Sequence, residues 1–190
     1  MFLPSLLLIA VATAAPGSAN AQNEMLRINA PDEFEVGYRA RNLEQEMIEL
    51  VQRPEKVDTW SELITLQLFF DGARRDSADA FYARWRKLMR TSCAGMTDTA
   101  VTGSVDGKPA IRSQLACPLN PQTGKSENLV AVLVQGGANL MMVQVAFRRP
   151  ITAEDRALIA RITGSLKVCD QRSLSECSAR KASGFVTSRK

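Results

Sequence analysis

The reactive side chains of this 190-residue chain make a short inventory: Cys93, Cys117, Cys169 and Cys177, and not one histidine. Without an imidazole there is no Ser-His-Asp or Cys-His catalysis and no histidine-containing metal site. The cysteine spacings match neither the CxxC of redox enzymes nor the paired short spacings of zinc sites. An even number of cysteines in an exported chain predicts two disulfides. Of the three possible pairings, Cys93 with Cys117 and Cys169 with Cys177 are favoured, because each joins segments near in sequence.

Three further patterns have chemical potential. Ser178-Ala179-Arg180-Lys181 has the SxxK form in which a lysine activates a serine, but it lies in the tail without the other motifs of that enzyme class. Glu44, Glu46 and Glu49 offer paired carboxylates for acid-base work or calcium, although glutamates spaced along a strand are ordinarily a solvated face. Gly136-Gly137 would cradle phosphate only if a helix followed, and the sequence that follows reads as a strand. No catalytic residue, metal ligand or cofactor is therefore expected. The candidate binding surfaces are basic: Arg84, Lys87 and Arg90 on one helix face, and Arg74 and Arg75 in the loop before it.

The elements that must position these groups begin after a leader. Residues 1 to 21 contain no charged side chain, carry the apolar run Leu6 to Ala12, and end in Ala19-Asn20-Ala21. This is the hydrophobic core and A-x-A cleavage pattern of a secretory signal peptide. The run is too short to span roughly 30 Å of hydrocarbon, and no later stretch approaches that length. The expected product is periplasmic or secreted, with no integral membrane segment after processing. The net charge of +4 falls entirely in the tail, on Arg180, Lys181, Arg189 and Lys190. A balanced folded body argues against a nucleic-acid partner, which needs a basic face on the structured part.

Phe34 to Arg39 alternates apolar and polar residues as a strand does. Asn42 to Arg53 fits strand and helix spacing equally, and Trp60 to Phe70 is rich in strand formers. Asp76 to Ser92 reads as an amphipathic helix with Phe81, Tyr82, Trp85, Leu88 and Met89 on its apolar face. Four strands follow: Asp106-Gly107 turns between the first two and Gly136-Gly137 between the last two. Thr152 and Asp155 then form the approximate capping box of a second helix.

This order predicts an α+β domain over residues 22 to 169, an antiparallel sheet covered by helices, with a disulfide-tethered basic tail over 170 to 190. The segments Phe34-Glu35-Val36-Gly37-Tyr38, Glu44 to Val51 and Asp58 to Gln67, followed by the helix ending at Cys93, resemble the Mog1/PsbP-like sandwich, as found in small exported bacterial proteins. The resemblance implies that Asn42 to Arg53 is a strand, and it carries no active site with it. The functional expectation is an exported non-catalytic binding or accessory protein of the bacterial cell envelope, with another envelope protein as partner. The alternative is a carboxylate-dependent hydrolase of envelope glycans, which would need two acids about 5 to 10 Å apart in a cleft.

Overall fold

A computed structural model describes residues 23 to 179, 182 and 184 to 187. The leader, and the tail cations Arg180, Lys181, Arg189 and Lys190, lie outside the described residues. Ten strands and four helices are described. The strands are β1 (Glu24–Arg27), β2 (Phe34–Arg41), β3 (Gln45–Gln52), β4 (Glu62–Phe69), β5 (Thr97–Val105), β6 (Lys108–Asn120), β7 (Lys125–Gln135), β8 (Leu140–Phe147), β9 (Lys167–Asp170) and β10 (Val186–Thr187). The helices are α1 (Gly72–Arg75), α2 (Ala78–Ser92), α3 (Ala153–Gly164) and α4 (Leu174–Ala179).

Eight strands form one antiparallel sheet in the order β10-β5-β6-β7-β8-β4-β3-β2, and β1 pairs with β9 in a second. The α+β expectation of a sheet covered by helices is corrected here. Strand far outweighs helix, and the fold is a β-rich sandwich in which the small sheet packs, with α3, on one face of the large one. The physical reason is local. Asn42 to Arg53 is ambiguous by itself, but Met47 and Val51 pair with Gln67 and Leu63 of β4, so β3 is fixed by its neighbour. Glu24–Arg27 and Lys167–Asp170 are each too short to show a period, and become strands only by pairing with one another.

Alternation along the central strands builds two cores. Ile64, Val132, Val143 and Phe147 point toward Leu26, Val168, Ile159 and Ile162 of the covering layer. Leu115, Leu133 and Met142 point the other way, against Phe81, Tyr82, Trp85 and Met89 of α2. Leu88, expected on that apolar face, is instead 63% exposed. Ser77 caps α2, its side chain accepting from the Ala80 amide, and Thr152 with Asp155 makes a complete capping box on α3. Disulfides join Cys93 to Cys117 and Cys169 to Cys177. The first ties the C-terminal end of α2 to β6, and the second closes the turn between β9 and α4.

Two hairpin tips anchor the small sheet. At Asp106-Gly107 both residues have positive φ, the geometry a two-residue hairpin loop requires. The Asp106 carboxylate then accepts from the Val168 amide of β9 at 2.7 Å. At the other tip the Gly137 amide donates to the Glu24 carboxylate of β1 at 2.6 Å, and Lys108 pairs with the same carboxylate at 2.9 Å.

Candidate functional site

The covering layer is narrower than the sheet it covers. It closes over the central strands and, at Phe34 and Leu50, over one end of β2 and β3, but leaves the other end of these strands open. At this step lies a groove of about 320 Å³. Its floor is Ile48, Leu66 and Leu68, and its wall is Met25 and Leu26 of β1 with Gln171 and Leu174 from the turn that the Cys169–Cys177 disulfide closes. Pairing explains the shared face: Glu46 stands opposite Leu68 and Ile48 opposite Leu66 across β3 and β4. Across β2 and β3, Arg41 stands opposite Glu46 and Arg39 opposite Ile48.

Polarity is concentrated at the rim. The Glu46 side chain is 9% exposed and receives both arginines. Arg39 donates to its Oε1 through Nε at 2.9 Å and through Nη2, and Arg41 Nη1 reaches Oε2 at 3.4 Å. The Arg41 guanidinium also lies 4.9 Å from the centre of the Phe70 ring. An apolar trough with one ion cluster at its edge is the composition of a ligand pocket: mostly hydrophobic lining, few convergent polar groups.

Of the basic residues singled out from the sequence, Lys87 and Arg90 line one open depression on α2 together with Arg86. Arg74 pairs with Asp71 at 3.4 Å, and Arg75 donates to the Phe70 carbonyl at 2.7 Å. On α2, Arg84 pairs with Asp76, while Arg90 joins Arg86 on Asp98 of β5. Lys87 makes no ion pair among the described residues. Hydrogen bonds from Arg86 above all, and then from Arg90, hold the Asp98 carboxyl below the usual range against its burial. Much of the helix's positive charge is thus matched by acids of the same chain.

The three glutamates separate. Glu46 faces the groove, Glu49 faces the opposite side of the sheet, and Glu44 is exposed in the turn before β3. Glu49 shares an open depression of about 510 Å³ with Glu35, Glu55 and Asp58. Burial raises the Glu49 carboxyl. Burial would raise Glu55 too, but hydrogen bonds from the Ser61 hydroxyl and backbone leave it lowered. No group of acids or cysteines among the described residues has the arrangement of a metal site. The Gly136-Gly137 turn does hold an anion, but it is the chain's own Glu24. Ser178 donates to the Leu174 carbonyl and accepts from Arg27, and its SxxK partner Lys181 lies outside the described residues.

Sequence reasoning missed Arg39 and Arg41. Their signal was present as period-two spacing with Glu46 across a short turn, but it becomes visible only once residues 42 to 53 are assigned as a strand. No family model matches the chain, and no curated protein is similar to it. The likeness to the Mog1/PsbP-like group therefore stays an expectation from three sequence segments and assigns no residue. Among the described residues no helix is long and apolar enough to cross a membrane.

Proposed function

We propose that the protein is an exported, non-catalytic binding module of the bacterial cell envelope, periplasmic or secreted, that takes its ligand in the groove between the two sheets. The observation that carries this reading is the groove itself: an apolar floor left open where the covering layer stops, bordered by Arg39, Arg41 and Glu46. Export is supported by the leader pattern and by the two disulfides, which persist in oxidising compartments. The groove displaces the basic face of α2 as the first surface to test, because most of that face's arginines already have acid partners.

Titration with 1-anilinonaphthalene-8-sulfonate tests the site. Its fluorescence should rise on the native protein, fall back in Leu66→Trp, which fills the groove floor, and stay high in Lys87→Glu. Enhancement untouched by Leu66→Trp would remove the groove from consideration.

A second reading, a carboxylate-dependent hydrolase of envelope glycans, draws on Glu49 and Glu55. They line one depression and are driven in opposite directions, as an acid and its partner base would be. Release of soluble fragments from purified peptidoglycan, abolished by Glu49→Gln and by Glu55→Gln, would favour it. No release by the native protein would dispose of it.

A further inference from the structure

We infer that the groove binds an aliphatic monocarboxylate, its chain laid over Ile48, Leu66 and Leu68 and its head group received by Arg39 and Arg41. This rests on the groove being the binding site, as proposed above, and adds the chemistry of its occupant.

Charge selects the head group. Two guanidinium groups flank one carboxylate, Glu46, so the rim has a single positive charge in excess. One further carboxylate brings the cluster to neutrality, whereas a dianionic phosphate monoester would overshoot and an ammonium would be repelled. Donors are also available. A guanidinium has five N–H donors. Arg39 engages Glu46 through two nitrogens, and Arg41 does so through one, at 3.4 Å. Their side chains are 63% and 61% exposed, so a ligand can reach them without displacing the buried Glu46.

The floor selects the chain. A bound peptide would bring an N–H and a C=O with almost every residue, and between the apolar side chains of Ile48, Leu66 and Leu68 the groove offers only the Gln67 and Gln171 amides away from its rim. A hydrocarbon chain needs only contact and exclusion of water. A cavity of about 150 Å³ accepts benzene, and this groove, at about 320 Å³, has room for roughly a dozen carbons.

The test is calorimetric titration of the exported, oxidised protein with dodecanoate, dodecanol, dodecyl phosphate, dodecyltrimethylammonium and acetate, each below its micellar concentration. Dodecanoate should bind one to one. Dodecanol and dodecyl phosphate should bind at least tenfold more weakly, and the cation and acetate not at all. Arg39→Gln with Arg41→Gln should bring dodecanoate down to the level of dodecanol. Because that double variant strands a buried Glu46, Glu46→Gln serves as a second handle: it raises the excess charge and should improve dodecyl phosphate relative to dodecanoate. Equal affinity for dodecanol and dodecanoate, or no change of preference in Glu46→Gln, overturns the assignment. Anilinonaphthalene fluorescence that depends on Leu66 while dodecanoate fails to bind would sink the ligand class and leave the groove standing as a site. Loss of both would sink both.

Discussion

Removing the Cys93–Cys117 bridge by Cys93→Ala with Cys117→Ala should cost the protein about 3.5 kcal/mol. The figure follows from the chain-entropy treatment of a cross-link whose partners are 24 residues apart. Both cysteines are buried, at 4% and 7% exposure, so the lost sulfur contacts push the cost upward rather than down. For a chain of this size the loss corresponds to a fall in Tm of about 7 to 14 °C. The second bridge, with partners 8 apart, is worth about 2.6 kcal/mol on the same basis. Together they come to about 6 kcal/mol, a large share of the roughly 5 to 15 kcal/mol by which an ordinary domain is stable. A copy held in a reducing cytosol would lack that share, which links the disulfides to the export reading. The assay is urea unfolding of the oxidised native protein, the double variant and the native protein under reductant. A double variant within 1 kcal/mol of native would refute the entropic reasoning, and an unchanged midpoint under reductant would remove the link to compartment.

Three other outcomes follow from the same contacts. Asp98→Asn should lose about 1.5 to 3 kcal/mol near neutral pH, the worth of hydrogen bonds to a charged group, measured by the urea midpoint. Asp98's folded pKa is lowered, so its contribution is present above the unfolded value and is lost as pH falls through the folded one; the native protein should weaken more than Asp98→Asn between about pH 5 and 2. Glu49 has the opposite sign: its folded pKa is raised, so its charge costs stability at neutral pH. Glu49→Gln should stabilise there, and the gain should vanish below the unfolded glutamate pKa. Cys169→Ala with Cys177→Ala should weaken ligand binding even under conditions where the fold stays intact, since Gln171 and Leu174 of the groove wall lie within that closed turn; calorimetry on protein shown folded by urea unfolding checks it.

Legibility in the sequence tracked the range of the interactions involved. The two hairpin turns at Asp106-Gly107 and Gly136-Gly137, the cap at Thr152, and β4 are specified within a few residues, and each could be read directly. The strand pairs β1 with β9 and β10 with β5 depend on partners far along the chain, so the small second sheet is not visible locally and the covering layer reads as helix alone. The arginines of α2 were legible as a basic face, but Asp98, which pairs with Arg86 and Arg90, comes onto that face only when the helix docks on the sheet. The groove was illegible for a related reason. It exists because one layer ends before the other, and nothing in the local pattern of Arg39, Arg41 or Ile48 records where Leu26 and Leu174 come to rest.

The account is tested most directly in the living envelope, with a photoreactive phenylalanine analogue placed at Leu174, on the exposed wall of the groove, in one strain and at Lys87 in another. After irradiation of intact cells and mass spectrometry of the purified protein, the probe at Leu174 should carry an adduct of a few hundred daltons, and the probe at Lys87 should carry none. An unmodified probe at Leu174, or an adduct confined to Lys87, would contradict the assignment of the groove as the site where this protein does its work.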